Sequence, residues 1–193
     1  MKLNMTTDKI YAGFKFETKS GVATVLEYGG YANVLVEFED GTRVVTRAIL
    51  CRNGAVANPN CRSFLGVGYR GILTEAVPEH IFKIATKYWQ GMMSRCYGGH
   101  LKKNSYYKDC EVSPIWHSAA NFISWFYHLE YYEDGWELDK DAITANNTVY
   151  SPENCCFLPG EINRFLLVKT KKPESLPTGV RRSGKKFSAF CNS

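Results

Sequence analysis

The chain has 193 residues, of which 45% are hydrophobic, 14% aromatic and 22% charged, and this composition excludes an intrinsically disordered protein. No apolar run approaches the roughly 20 residues that a membrane span needs, so the sequence predicts no membrane partner. No apolar stretch follows the first residues either, so we expect no signal peptide and a cytoplasmic location.

Positive charge is concentrated at one end of the chain. Seven of the 24 basic residues but only one of the 19 acidic residues follow residue 168, which leaves 17 basic and 18 acidic side chains in the rest. A basic segment of this kind is attracted to nucleic-acid phosphates without sequence preference. We therefore predict a nucleic-acid-binding tail over residues 169–193, the alternative being a basic terminus that only aids solubility.

The number and spacing of the cysteines indicate free thiols and not disulfides. There are seven of them, so at least one cannot pair within the chain, and no Cys-x-x-Cys spacing occurs. Cys96, Cys110 and Cys155 could still meet as a structural zinc site. The alternative is that they are small buried hydrophobic residues, which is the more common role of free cysteine.

The N-terminal third reads as short strands and turns. Residues Asn33–Phe38 alternate between apolar and polar side chains, and the Asp40-Gly41 pair that follows is a strong hairpin signal. A meander of this size usually curls into a small barrel, which removes exposed edges. We predict a small all-β barrel over residues 1–58, either a docking module or a stabilising cap, and an irregular connector over residues 59–77.

Residues 78–168 have the pattern of a second, mainly helical domain. Apolar and aromatic residues recur at helical spacing after Pro78, and Gly98 ends the run. We interpret this Met-rich and aromatic stripe as core. Ser118 is a suitable N-cap for a second helix, and a third helix is expected to begin near Pro159.

One stretch of this second domain carries the residues for chemistry. Asp139, Lys140 and Asp141 follow one another, and Asn154 comes later at the expected start of a helix. The two carboxylates and the amide could grip a cation beside a phosphate. The alternative is structural: Asp141 would bond local backbone amides, and the segment ending at Asn154 would be a turn and helix cap.

An ordered set of short motifs resembles a group of bacteriophage HNH (His-Asn-His) homing-endonuclease-like proteins. The segments are 89–97, 112–116, 122–125, 138–141 and 150–155. Residues 176–189 are similar to the first strands of the ethylene-response-factor-type DNA-binding domain that such proteins often carry, so the resemblance implies a truncated form of that domain. It implies an α+β fold, with the barrel followed by an HNH-like domain of the ββα-metal type and the basic tail.

The resemblance also implies roles for individual residues. Asp139 matches the carboxylate metal ligand, Lys140 stands where many HNH enzymes place the histidine base, and Asn154 matches the family's asparagine. The implied catalytic residues are therefore Asp139, Lys140 and Asn154, and the implied metal ligands are Asp139, Asp141, Asn154 and Glu161, with Asn163 as an alternative to Glu161. An all-oxygen set of this kind suits magnesium or manganese.

A lysine at the base position has a chemical consequence. Its ammonium stabilises anions but cannot accept a proton at neutral pH without strong desolvation. Activity would then need another base, such as His117 or His128, or direct activation of metal-bound water.

The expected function is that of a phage-encoded DNA-binding protein of HNH endonuclease ancestry, acting in the host cytoplasm by metal-dependent cleavage or nicking of DNA. The side chains expected to hold the DNA backbone are Arg164, Lys171, Lys172, Arg181, Arg182, Lys185 and Lys186. The alternative is a catalytically inactive binding protein that inhibits a host defence or transcription factor. The missing histidines favour the alternative, whereas the basic tail and the ordered motifs favour DNA.

Overall fold

The computed structural model describes residues 9–99, 107–167, 180–183 and 186–189. Within these ranges the chain forms four α-helices and ten β-strands, so the expected mixture of α and β structure is confirmed. Two separate clusters of buried side chains hold it together, one under the N-terminal sheet and one among the helices. The domain boundaries drawn from the sequence stay a prediction.

The N-terminal part is an open antiparallel sheet. Its elements are β1 (Lys15–Thr18), β2 (Gly21–Tyr28), β3 (Val34–Phe38), β4 (Arg43–Thr46) and the short helix α1 (Ala48–Arg52). The strands pair in chain order, and β1 does not pair with β4 among the described residues. The expected hairpin at Asp40-Gly41 is confirmed, because these residues connect β3 to β4.

The expectation of a closed barrel is wrong, and the first buried cluster gives the reason. Alternate residues of β2 and β3 point to one face of the sheet, where Val25 and Val36 are fully buried. Ala48 and Cys51 of α1 cover this face together with Val56. Since the helix and the following chain already shield the apolar face, the sheet has no need to close on itself.

The connector is tied to both halves. The side-chain amide of Asn60 donates a 3.0 Å hydrogen bond to the hydroxyl of Thr42 at the β3–β4 turn. Asn58, just before the connector, donates a 2.9 Å hydrogen bond to Asp40 in the same turn, and this bond is the main reason that the pKa of Asp40 is lowered. Further along the connector, the backbone of Tyr69 forms an isolated parallel β-bridge with Ser118. Phe64 and Leu73 pack against the second buried cluster. The connector is therefore a packed segment.

Two helices build the second cluster, and local signals set their ends. Helix α2 (Glu79–Tyr97) begins after Pro78 and ends before Gly98, as expected. Helix α3 (Ala119–Tyr127) follows a 3₁₀ turn (Pro114–His117), and the hydroxyl of Ser118 accepts a hydrogen bond from the Asn121 N–H, so the expected N-cap is confirmed.

The Met-rich and aromatic stripe of α2 is core, as expected. Trp89, Met92 and Met93 are buried and pack with Trp116 and Phe122. The indole N–H of Trp89 donates a 2.7 Å hydrogen bond to the carbonyl oxygen of Trp116. This bond satisfies the one polar group of a buried indole.

Short strands complete the described structure. They are β5 (Glu111–Val112), β6 (Trp136–Asp139), β7 (Val149–Tyr150), β8 (Cys156–Pro159), β9 (Val180–Ser183) and β10 (Lys186–Ala189), with helix α4 (Gly160–Leu167) directly after β8. β5 pairs parallel with β7, and β6–β8 and β9–β10 are antiparallel pairs. Within the described ranges, no helix combines the length and the apolar content that crossing a membrane requires.

Candidate functional site

The candidate site lies on a strand–strand–helix unit formed by β6, β8 and α4. Leu138 of β6 lies opposite Phe157 of β8, and both are buried in the second cluster. Their neighbours Asp139 and Cys156 also lie opposite each other, and they point to the other face because strand side chains alternate. One face of this antiparallel β6–β8 pair, called the hairpin below, therefore forms core, and the other face carries Asp139.

Helix α4 packs on the Asp139 face. Glu137, two residues before Asp139, shares that face, and its Oε2 accepts a 2.7 Å hydrogen bond from the Asn163 amide of α4. A Cβ placed on Gly160, the first residue of α4, would lie 3.2 Å from the Glu137 Oε1. The Glu137 carboxylate therefore lies beside the start of the helix, where the macrodipole favours negative charge.

Asp139 closes a local turn at the end of β6. Its Oδ1 accepts hydrogen bonds from the backbone N–H groups of Asp141 and Ala142, each at 2.7 Å. The structural alternative in the sequence analysis gave Asp141 the bond to local backbone amides. In the structure, the side chain of Asp139 makes that bond instead. This bonding orients the Asp139 carboxylate, and among the described residues its Oδ2 accepts no hydrogen bond.

Lys140 is held as a structural cation. Its side chain is only 10% exposed, and its Nζ lies 2.7 Å from both Asp141 Oδ2 and the Asn147 carbonyl oxygen. The Tyr150 ring centroid lies 6.0 Å from the same ammonium. The amide nitrogen of Asn147 also donates to the carbonyl oxygens of Lys140 and Val149, so these contacts fix the loop between β6 and β7.

The remaining predicted ligands, Asn154 and Glu161, belong to other segments than this loop. Asn154 occupies a turn, where its N–H donates to the Ser151 carbonyl oxygen at 3.2 Å, and the strand β8 follows. The expectation that Asn154 starts a helix is therefore wrong. Glu161 is exposed on the first turn of α4. Among the hydrogen bonds of the described residues, none joins the side chain of Asn154 or Glu161 to Asp139.

Asn163 is the residue of α4 that faces the hairpin. It is only 9% exposed, and its buried Oδ1 has no hydrogen-bond partner in the part of the chain that the structure describes. Asp141 Oδ1 is a second buried oxygen without a partner. Of the two α4 residues that the sequence offered as a ligand, Asn163 thus turns toward the Asp139 face and Glu161 toward solvent.

Sequence reasoning missed Glu137 and Asn147. Glu137 could have been found, because it alternates with Asp139 along a strand and must share its face. Asn147 had a weaker signal, namely an Asn-Asn pair ahead of an apolar residue, which is typical of a turn.

The two candidate histidine bases have other partners. His117 Nε2 lies 3.0 Å from the Val112 carbonyl oxygen, to which it donates, and 3.4 Å from the Tyr97 hydroxyl. His128 Nε2 lies 3.0 Å from a carboxylate oxygen of Glu75. In the described part of the chain, neither histidine is hydrogen-bonded to a residue of the loop that contains Lys140.

Two of the cysteines considered for a zinc site are buried thiols with raised pKa values. Burial raises the pKa of the Cys110 thiol, and it raises the pKa of Cys155 to about 12. Both thiols are therefore protonated at neutral pH in the metal-free chain. Over the ranges that the structure describes, no three His, Cys, Asp or Glu residues form a group that could hold a metal ion.

The strand–strand–helix unit carries two oxygen donors that could serve a hard cation. Asp139 offers a carboxylate from β6, and Asn163 offers a buried amide oxygen without a partner from α4. Hard oxygen donors of these two kinds are those that magnesium and manganese prefer.

The predicted DNA-contacting residues fall in three places. Arg164 is exposed on α4, Arg181 and Arg182 belong to β9, and Lys186 is exposed at the start of β10. The others, Lys171, Lys172 and Lys185, lie outside the described residues.

No protein-family model, no curated protein and no solved structure matched the chain.

Proposed function

We propose that this chain is a phage-encoded DNA-binding protein of HNH endonuclease ancestry, acting in the host cytoplasm. In this proposal the strand–strand–helix unit is a retained ββα scaffold, and the basic C-terminal segment holds the DNA backbone. Lys140 then serves as a structural cation at the position of the family's histidine base.

The observation that carries the proposal is the antiparallel ribbon of β9 and β10. It contains Arg181, Arg182 and Lys186, and it belongs to the segment that holds the whole positive excess of the chain. A two-stranded ribbon fits the major groove of DNA, which is about 12 Å wide. Arginine and lysine on such a ribbon neutralise phosphates and release counterions.

The order of elements supports the nuclease ancestry. Two antiparallel strands, β6 and β8, are followed at once by α4, which packs on the face that carries Asp139. The HNH resemblance implies this order of strand, strand and helix. The ion pair of Lys140 with Asp141 supports a loss of base catalysis, because an ammonium with two acceptors at 2.7 Å has no lone pair to offer.

Metal-dependent nicking of DNA is the second candidate function, and the buried Asn163 Oδ1 without a partner favours it. Asp139 and Asn163 would hold magnesium or manganese, with Asp141 and Asn154 as further candidates. Such an ion would neutralise charge on a bound phosphate. The chain's own contribution would be to bind and orient that phosphate next to the carboxylate of Asp139.

A paired binding and nicking assay tests both candidates. Binding is measured with a fluorescein-labelled DNA duplex at low and at physiological salt, and nicking with supercoiled plasmid and manganese. We expect salt-sensitive binding that Arg181→Glu/Arg182→Glu/Lys186→Glu abolishes. The matched control Arg52→Glu/Lys83→Glu/Lys87→Glu reverses three exposed charges elsewhere and should keep most of the binding.

The outcomes separate the candidates. Binding without nicking supports the DNA-binding function alone. Nicking that disappears in Asp139→Ala, while binding persists, supports the metal-dependent activity. A protein that neither binds nor nicks DNA at low salt overturns the proposal.

A further inference from the structure

A groove of about 690 Å³ lies between the N-terminal sheet and the helical part of the molecule. Strand β4 forms one wall, helices α2 and α3 form the other, and the connector forms the floor. Its volume is in the range of ligand-binding clefts. None of the DNA-contacting residues proposed above lines it.

The wall formed by β4 is a free strand edge. Arg43, Val44 and Val45 all line the groove, and three consecutive strand residues can do so only along an edge, because alternate side chains point to opposite faces. β4 is the terminal strand of its sheet in the described structure, and its backbone hydrogen bonds there go to β3. Its outward N–H and C=O groups are therefore available to another strand.

The groove also offers apolar surface to side chains. Val45 is 61% exposed, Ile72 57% and Phe82 39%, and all three line the groove. The aromatic rings of Phe64 and Trp89 lie deeper, with centroids 5.0 Å apart. A strand laid along β4 would point alternate side chains at this surface, as in recognition by strand addition.

Charge on the rim indicates the character of the occupant. Arg70 is exposed and has no carboxylate partner among the described ion pairs, whereas Arg43 pairs with Glu37. Of the described residues that line the groove, none is acidic. Thr86 also lines the groove, and its buried hydroxyl has no hydrogen-bond partner among the described residues. An acidic partner would complement this surface.

We propose that the groove binds an extended segment of another protein, with alternating apolar and acidic side chains, which adds to β4 as a fifth strand. Main-chain hydrogen bonds to β4 would supply affinity, and the apolar floor with Arg70 would supply selectivity. This inference stands independently of DNA binding, because it uses a different surface of the molecule.

Three labelled octapeptides test it with the full-length protein. One alternates valine with glutamate, the second replaces glutamate with lysine, and the third is the first peptide with an N-methyl group on every residue, which removes strand pairing along both edges of the peptide. We expect the first to bind in fluorescence anisotropy, and the other two to bind at least about tenfold more weakly. Binding should also protect the amides of β4 from hydrogen exchange.

Variants locate the site. Arg70→Glu should lower affinity for the glutamate peptide about tenfold and raise it for the lysine peptide. Arg62→Glu makes the same charge change at an exposed connector residue outside the groove and should leave both affinities unchanged. The proposal is overturned if the N-methylated peptide binds as tightly as the first peptide, or if no peptide binds. It is also overturned if duplex DNA competes for the site, or if the protein self-associates and Val45→Lys abolishes that self-association.

Discussion

The ammonium of Lys140 lies 2.7 Å from Asp141 Oδ2, and the lysine side chain is only 10% exposed. Replacement by methionine keeps the length and apolar stem of the side chain but leaves Asp141 and the Asn147 carbonyl without their shared donor. Loss of one partner of a buried pair costs up to about 3–5 kcal/mol. Because Asp141 is 37% exposed, we expect Lys140→Met to lower the free energy of unfolding by about 2–3 kcal/mol in urea titrations.

Two variants control this experiment. Lys83→Met breaks an exposed pair with Glu79 and should change stability by less than about 0.5 kcal/mol. Lys140→Met/Asp141→Asn removes the unpaired charge and should recover part of the loss. Equal stability of Lys140→Met and the natural chain would contradict the structural role of this lysine.

Asn163 is expected to hold α4 on the hairpin. Asn163→Ala removes the 2.7 Å hydrogen bond to Glu137 and should lower the free energy of unfolding by about 1–2 kcal/mol. Glu161→Ala, an exposed neighbour on the same helix, is the matched control and should have little effect. Similar losses in both variants would argue against this specific contact.

Alkaline pH should destabilise the protein through Cys155. Burial raises the pKa of this thiol from 9.0 to about 12, so the unfolded chain releases its proton first. The stabilising contribution is complete below about pH 9 and is lost as pH rises toward 12, by about 1 kcal/mol at pH 10. Urea unfolding at pH 8 and pH 10 should show a smaller loss in Cys155→Ala, and identical losses would contradict the assignment.

Gly71 is expected to be indispensable to the connector. Its φ is +70°, and an added Cβ would collide with the hydroxyl of Ser118, the N-cap of α3. Gly71→Ala should therefore lower stability by about 2–3 kcal/mol. Gly91→Ala, in α2, meets open space and should raise stability by about 0.5–1 kcal/mol. Calorimetry should thus show a lower unfolding temperature for Gly71→Ala and a higher one for Gly91→Ala. An unchanged unfolding temperature for Gly71→Ala would contradict the packing described.

If the chain binds DNA as proposed, single neutralisations on the ribbon should reduce the salt dependence of that binding. Each lost phosphate contact lowers the slope of log affinity against log salt by about 0.9. We therefore expect Lys186→Gln to weaken binding similarly for unrelated duplex sequences. The magnitude of the slope should fall by about 0.9, which corresponds to one lost phosphate contact. An unchanged slope would place Lys186 away from the DNA backbone.

Local signals predicted much of the fold. Pro78 and Gly98 set the ends of α2, Ser118 caps α3, and Asp40-Gly41 joins β3 to β4, all as expected. Each of these features depends on residues within a few positions of one another, so a short stretch of sequence contains the whole physical cause.

Features that depend on distant partners were not predictable in this way. The sheet was expected to close, but the shielding of its apolar face by α1 and Val56 leaves it open. Asn154 was expected to start a helix, but pairing between β6 and β8 makes the next residues a strand.

The sequence alone determined which residues carry charge, where the basic segment lies and where α2, α3 and α4 begin, because these properties are composition or local signals. Tertiary structure alone decided that Lys140 is an ion-paired structural cation and that Asn163, 26 residues from its partner Glu137, turns inward. Both outcomes follow from desolvation, because a buried charge or amide must take whichever partner the folded chain brings to it.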